Sequence, residues 1–122
     1  MMYRIKVRSD FSGAHNLRDY KGKCEELHGH NWRVEAVASS GDLNKAGMVV
    51  DFTDLKDLLK KTLAELDHKY LNDVGYFKDV NPTSENIARY IYEKISEKRP
   101  QLKINEVTVW ETDTSSATYS RT

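Results

Sequence analysis

The only cysteine of the chain stands four residues before a His-Gly-His segment. In the stretch CEELHGHNW, Cys24 is followed by His28 and His30, which are two of the four histidines. Thiolate and imidazole are the ligands that zinc prefers, and a thiol beside a cation is also a reactive base or nucleophile. The stretch on its own leaves open a metal site, a nucleophile, or neither.

Strand periodicity brings a third histidine to the same place. Alternation of apolar and polar residues from Tyr3 to Phe11 predicts a strand with an odd-numbered apolar face, and His15 continues that parity. A second strand has an even-numbered apolar face that His30 and His28 extend, formed by Trp32, Val34, Ala36 and Ala38. If the two strands form an antiparallel hairpin, His15 faces His28, and His30 lies one step further in.

Three histidines at one point suit a catalytic zinc ion, which is tetrahedral and keeps one position open for water or substrate. One alternative is that His15, His28 and His30 are scattered loop residues. Another is that Cys24 supplies a fourth ligand and closes a structural zinc site. The spacing of the residues is compatible with each of these.

The fourth histidine follows an aspartate at the end of a predicted helix. Asp67 and His68 come directly after Leu66, the last apolar residue of that helix. An aspartate beside a histidine can hold its tautomer and stabilise its protonated form. The alternative is an exposed turn in which His68 complements the helix dipole.

A glutamate interrupts the apolar face of a later strand. In NEVTVWETD, Glu111 has the parity of Val107 and Val109. A carboxylate on a buried face is costly unless a partner compensates it. A ligand with N–H donors, or a neighbouring Lys or Arg, would compensate the charge of this carboxylate.

These residues require a fold that places strand ends side by side. Two predicted helices lie between the hairpin and a pair of C-terminal strands. These two strands span about residues 104–112 and 116–121. Asp51 caps the first helix, and Thr83 or Ser84 caps the second. The order ββααββ predicts an α+β fold, in which a four-stranded, mainly antiparallel sheet carries both helices on one face.

Composition limits the classes of function. The length of 122 residues predicts a single domain, residues 1–122, and the 19 basic and 19 acidic residues cancel. No overall charge would attract nucleic acid or a membrane surface, so neither is expected as a partner. A single cysteine and an N-terminus without an apolar run predict a cytoplasmic protein.

Six segments in order resemble one enzyme family over nearly the whole chain: FSGAH, CEELHGHN, MVVDF, LDHKYLND, NPTSENIA and VWET. Together they resemble the 6-pyruvoyltetrahydropterin and 6-carboxytetrahydropterin synthases. The resemblance implies the tunnelling fold, in which ββααββ subunits assemble into barrels and typically into a homohexamer.

The resemblance also implies a role for each candidate residue. It makes His15, His28 and His30 the ligands of Zn²⁺, and Cys24 the general acid/base. Asp67 and His68 become its relay partners. Glu111 becomes the residue that anchors the pterin ring.

The spacing of Cys24 indicates a branch of the family. Three residues separate Cys24 from His28, which resembles the carboxy branch, whereas the animal pyruvoyl enzymes resemble Cys-x5-His-Gly-His. The carboxy branch converts 7,8-dihydroneopterin triphosphate to 6-carboxytetrahydropterin, acetaldehyde and triphosphate for queuosine and archaeosine synthesis. The alternatives are the pyruvoyl reaction and a non-catalytic module that zinc stabilises. The triphosphate requires basic residues, for which the candidates are Arg4, Lys6, Arg8, Arg18, Lys21 and Lys23.

Overall fold

Two long paired strands form the centre of the protein. The computed structural model describes residues 2–19 and 26–121. Strand β1 (Tyr3–His15) runs antiparallel to strand β2 (His28–Ser40), and the register is unbroken from the pair Tyr3–Ser40 to the pair His15–His28. The predicted hairpin is therefore confirmed, and its strands extend to the histidines at both sides of its mouth.

The sheet contains five strands, so the prediction of four was wrong by one. Its order is β3-β1-β2-β4-β5, with β3 (Lys69–Tyr70), β4 (Lys103–Thr112) and β5 (Ser115–Ser120). The extra strand, β3, pairs in parallel with β1 through two residues only. Because two residues show no alternation, sequence periodicity gives no signal for such a strand. The other pairings are antiparallel.

Two helices cover one face of the sheet. Helix α1 (Phe52–Leu63) begins after Asp51, whose carboxylate accepts a 2.8 Å hydrogen bond from the Thr53 N–H. Helix α2 (Ser84–Lys98) begins after Thr83, whose hydroxyl accepts from the Asn86 N–H, so Thr83 is the cap rather than Ser84. Phe52, the first residue of α1, is 56% exposed.

The core lies between these helices and the sheet. It contains Trp32 and Val34 of β2, Val107 and Val109 of β4, and the inward residues of both helices. The Trp32 ring stacks on Phe11 at a centroid distance of 5.9 Å, and its indole N–H donates to the Gly13 carbonyl. This aromatic layer closes the core at the end of the sheet that carries the histidines. Within the described residues, no helix has both the length and the apolarity needed to cross a membrane.

Candidate metal centre

Three imidazoles meet where β1 ends and β2 begins. His15 and His28 are the last cross-strand pair of the hairpin, and His30 follows on the same face of β2. The ring centroids lie 4.6 Å apart for His15 and His28, 4.8 Å for His28 and His30, and 5.3 Å for His15 and His30. One ring nitrogen of each histidine lies within 4.8 Å of the other two. The structure thus brings together the three histidines that strand parity placed on one face.

Hydrogen bonds to carbonyl groups place the protons of two of these rings. His15 Nδ1 lies 2.7 Å from the Pro82 carbonyl oxygen, and His28 Nδ1 lies 2.7 Å from that of Glu26. A carbonyl oxygen only accepts, so each Nδ1 must carry the proton and donate it. In the neutral rings both Nε2 atoms then present a lone pair, and these two atoms are 3.0 Å apart. Two facing lone pairs repel each other, and a proton or a metal ion between them would relieve that repulsion.

A metal ion suits this position better than a proton. Burial lowers the pKa of His15, and the positive charge that His28 and His30 could carry lowers it further, against the opposing influences of the Pro82 carbonyl and Glu111. Burial likewise lowers the pKa of His30, whose buried Nε2 has no hydrogen-bond partner among residues 2–19 and 26–121. Tetrahedral zinc with Zn–N bonds near 2.0–2.1 Å places its nitrogens about 3.3 Å apart, so small movements of the rings would complete a site. The donor set fits a metal, and its ligand role stays a prediction.

Glu111 lies beside this cluster. Its carboxylate oxygens are 3.6 Å from His30 Nε2 and 3.9 Å from His15 Nε2, and the side chain is one-third exposed. The register of β4 and β5 shifts between Trp110 and Thr112, which leaves Glu111 at a bulge. Bulges near functional sites commonly redirect one side chain. The parity prediction therefore placed Glu111 on the correct face, and its neighbours within the described residues are imidazoles rather than a lysine or arginine.

Asp67 and His68 form a pair beside Ser12, at the edge of β1 that does not pair with β2. Asp67 Oδ2 lies 2.9 Å from His68 Nδ1, and Asp67 Oδ1 accepts a 2.9 Å hydrogen bond from the Ser12 N–H. The His68 N–H in turn donates to the Ser12 carbonyl, and His68 has a positive φ of 57°. The Ser12 N–H and then His68 lower the pKa of Asp67, so its carboxylate stays ionised. The imidazole itself is 81% exposed and free to contact a ligand.

A groove of about 530 Å³ lies beside His68 and also touches His30. His30 and His68 both contribute to its walls, which comprise Ser12, Gly13, Ala14, Gly29, His30, Asn31, His68, Lys69 and Tyr70. This volume is within the range of small-molecule sites. The groove therefore offers a ligand room beside His68, and His30 is the one member of the cluster that contributes to its walls.

Some sequence predictions fall elsewhere. Cys24, Lys21 and Lys23 lie outside the described residues, so their positions stay predictions. Lys6 and Arg8 both pair with Glu35, at 3.7 and 2.7 Å. The Arg18 guanidinium donates to main-chain carbonyls rather than pointing freely at a ligand.

One contributor to the site was missed in the sequence. The carbonyl of Pro82 holds His15, although the segment NPTSEN was interpreted only as a helix start. A main-chain carbonyl leaves no residue-type signal, and its partner is 67 positions away. The neighbouring Asn81 was the available hint, since asparagine often bonds to main-chain groups in loops.

Residues 4–122 match the family described as 6-pyruvoyl tetrahydropterin synthase. The chain belongs to this family. The match confirms the predictions of the family, of the tunnelling fold and of an enzyme.

Relatives within the family carry several activity names. A Haemophilus influenzae protein named 6-carboxy-5,6,7,8-tetrahydropterin synthase is 34% identical and aligns over 97% of this chain and 99% of its own. A Pyrococcus furiosus protein named dihydroneopterin monophosphate aldolase is 39% identical over 91% of each chain. The solved 6-pyruvoyl tetrahydropterin synthase of Caenorhabditis elegans superposes with a TM-score of 0.89 at 31% identity, and covers 100% of this chain and 97% of its own. Overall identity thus supports the family more strongly than any one reaction.

Proposed function

We propose that the protein is a zinc-dependent 6-carboxy-5,6,7,8-tetrahydropterin synthase. It converts 7,8-dihydroneopterin triphosphate and one water to 6-carboxytetrahydropterin, acetaldehyde and triphosphate, and its product serves queuosine or archaeosine synthesis. The observation that carries the proposal is the pair of facing Nε2 atoms of His15 and His28, 3.0 Å apart beside the free Nε2 of His30. The name of the Haemophilus influenzae relative and the spacing of Cys24 favour the carboxy reaction.

Zinc is the proposed ion because the donors are three imidazoles and the reaction needs no external electrons. Imidazole sites accept zinc, copper, iron and nickel, and zinc alone among these has no redox chemistry. When bound, it would act as a Lewis acid that polarises the neighbouring hydroxyls of the substrate side chain. His15, His28 and His30 would hold it, and three protein ligands leave the fourth position of a tetrahedral ion for the substrate.

The chain's own residues would move the protons. A thiol near a cation has a lowered pKa, so Cys24 is the proposed acid/base. His68, held by Asp67 and exposed in the groove, would exchange protons with it or with the substrate. Glu111 would accept hydrogen bonds from the substrate beside the metal, and the family resemblance names the pterin ring as its partner.

The reaction balances internally. The pterin ring gains two hydrogens while the first side-chain carbon is oxidised from an alcohol to a carboxylate. The bond between the first two side-chain carbons breaks and triphosphate leaves from the third carbon, which becomes a methyl group. The second and third carbons depart as acetaldehyde, and water supplies the missing oxygen of the carboxylate. No nicotinamide or flavin is required.

Product analysis of the zinc-loaded protein tests the proposal. The protein is incubated with 7,8-dihydroneopterin triphosphate, pterins are separated by mass, and acetaldehyde is trapped as a hydrazone. We expect 6-carboxytetrahydropterin and acetaldehyde in equal amounts, and neither with the His15→Ala variant. A pyruvoyl product without acetaldehyde would assign the other branch of the family. Absence of any product would favour a binding module.

An aldol cleavage is separated by the same experiment. The Pyrococcus furiosus relative is named for dihydroneopterin monophosphate, so that compound is offered in parallel. An aldol cleavage breaks the side chain without reducing the ring, whereas the proposed reaction produces a tetrahydropterin. Turnover of the monophosphate without ring reduction would replace the proposal with the aldolase activity.

A further inference from the structure

The orientation of His15 depends on a loop that lies far away in sequence. His15 is 2% exposed, and its Nδ1–H donates to the carbonyl of Pro82 in the segment before α2. Histidines that bind metals commonly donate their second ring N–H to such an acceptor, which fixes the tautomer and the ring plane. Whatever holds the Pro82 carbonyl in place therefore also holds the metal-facing Nε2 of His15.

A reciprocal pair of hydrogen bonds joins this loop to the chain just after His15. The Arg18 N–H donates to Asn81 Oδ1 at 2.9 Å, and Asn81 Nδ2 donates to the Arg18 carbonyl at 2.8 Å. Arg18 lies three residues after His15, and Asn81 directly precedes Pro82. The side chain of Asn81 thus pairs with the main chain of Arg18 as a neighbouring strand would.

Further bonds fix both partners. The Arg18 guanidinium donates to the carbonyls of Phe77 and Val80, and Asn86 Nδ2 donates to the Asn81 carbonyl at 2.9 Å. Pro82 has no N–H and a restricted φ, so it adds no adjustable bond of its own. The position of its carbonyl is set by the residues on either side.

We propose that Arg18 and Asn81 are positioning residues of the metal centre, which hold the Pro82 carbonyl against His15 and so present its Nε2 to the ion. The inference rests on the proposed metal site. It also gives Arg18 a role different from the predicted contact with triphosphate, because its guanidinium is engaged with the loop. We call the hydrogen bonds between Arg18 and Asn81 the clamp. Its loss should weaken metal binding by about 10- to 100-fold, as mutations of residues that hydrogen-bond to metal ligands typically do.

The test measures zinc affinity in Asn81→Ala by competition with a chromophoric chelator. Asn44→Ala is the matched control, because the Asn44 side chain also makes two hydrogen bonds to the main chain, in a loop on another part of the chain. It accepts both, from the N–H groups of Ala46 and Met48. We expect the Asn81 variant to lose affinity and the control to keep it. The cobalt(II)-substituted protein should show an altered visible spectrum in the Asn81 variant only.

Arg18 provides a graded series if Asn81→Ala fails to fold. Arg18→Lys keeps one charged nitrogen that can donate to the carbonyls of Phe77 and Val80, whereas Arg18→Ala leaves no side-chain donor. Zinc affinity should therefore fall from the parent to Arg18→Lys and further to Arg18→Ala. Nitrogen-15 NMR of the metal-free variants should show His15 in a mixture of tautomers instead of the Nδ1–H form. Unchanged affinity, spectrum and tautomer in these variants would overturn the inference.

The His15→Ala variant separates this inference from the proposed metal site. If His15→Ala still binds zinc with parent affinity, the metal site itself is wrongly placed. If His15→Ala loses zinc while the Asn81 and Arg18 variants retain it fully, the site stands and the clamp fails.

Discussion

The protons of the histidine cluster depend on two main-chain carbonyls. The carbonyls of Pro82 and Glu26 accept hydrogen bonds from the Nδ1–H groups of His15 and His28. In the neutral rings the Nε2 atoms that face one another therefore carry no proton. Burial then opposes protonation of His15 and His30. The result is a nitrogen-lined site that could hold a metal ion.

The first prediction concerns which residues hold the ion. His15→Ala should remove bound zinc, because one of the facing nitrogens disappears, whereas Cys24→Ala should retain about one zinc per chain. Metal content is measured by mass spectrometry of the purified variants after dialysis. Loss of zinc from both variants would indicate a closed structural site, whereas zinc lost from the Cys24 variant and kept in the His15 variant would refute the assignment of His15 as a ligand.

The second prediction concerns proton transfer. Cys24→Ala should abolish turnover and leave zinc in place, and Cys24→Ser should remain poor because a hydroxyl is a much weaker acid. His68→Ala should slow turnover by about 100-fold or more, the usual contribution of a general acid/base. Steady-state rates are compared with those of His28→Ala, which should fail through metal loss instead. An active Cys24→Ala enzyme would mean that another residue moves the protons.

The third prediction concerns Glu111. Glu111→Gln keeps the shape of the side chain but removes its charge and turns one acceptor into a donor. Losing a charge-assisted hydrogen bond should weaken pterin binding by about 1.5–3 kcal/mol, with the zinc content unchanged. Glu106→Gln on the same strand is the control, since Glu106 has the opposite parity. Titration of both zinc-loaded variants with a pterin measures the difference in affinity. If Glu111→Gln binds the pterin as tightly as the parent protein, Glu111 has a structural role instead.

Residue types and parity predicted the members of the cluster but not their partners. His15, His28, His30 and Glu111 were found because strands alternate, so each position determines a face. The main-chain acceptor at Pro82 and the clamp through Asn81 join segments more than 60 positions apart. No local pattern encodes which loop will lie against His15.

Strand β1 is the element to which both halves of the site are attached. His15 ends the strand. Ser12 of the same strand donates its main-chain N–H to the Asp67 carboxylate and accepts a hydrogen bond from the His68 N–H at its carbonyl. The sequence indicated a helix that ends before Asp67, but not the short strand β3 that follows and pairs with β1. That pairing is the reason why His68 lies in the groove instead of on a free turn.

The fourth prediction compares two glycines that flank the same groove. A Cβ at Gly13 would lie 3.3 Å from Phe11 Cε2 and 3.4 Å from Leu71, whereas one at Gly29 meets nothing closer than 3.8 Å. Gly13→Ala should therefore destabilise the protein by about 1–3 kcal/mol through overpacking. Gly29→Ala should change the unfolding free energy by less than about 0.5 kcal/mol, as surface substitutions usually do. Urea titration of the two zinc-free variants measures the difference, and equal stabilities would contradict the expected crowding at Gly13.

At the scale of the whole molecule, the sheet has two open edges. β3 covers β1 only at Gly13 and Ala14, and β5 pairs with β4 on one side alone within the described residues. Exposed edges favour pairing with further strands, and closing subunits into a barrel removes them. The tunnelling fold supplies that arrangement, and the hexamer stays a prediction from the family resemblance.

The fifth prediction is the oligomeric state. The protein should scatter light as a homo-oligomer, with six chains expected, at micromolar concentration. His15→Ala should assemble equally well, because the sheet edges lie outside the metal cluster. A monomer of the parent protein under these conditions would refute the assembly and would require another way to protect the edges.

The unbroken register of β1 and β2 has a consequence for how the family can change. Inserting one residue in β1 before His15 would turn that ligand to the opposite face of the sheet, so we expect such an insertion to remove it from the cluster. The segment between His15 and His28 is different, because both of its ends are fixed by the strand pair and its length is not. The alignment with the Haemophilus influenzae relative spans 141 positions against 122 residues here, so such length changes do occur somewhere along the chain. Cys24 lies in the sequence between these two strand ends, so a change in the number of residues there would move the proposed base along the chain while His15 and His28 kept their pairing.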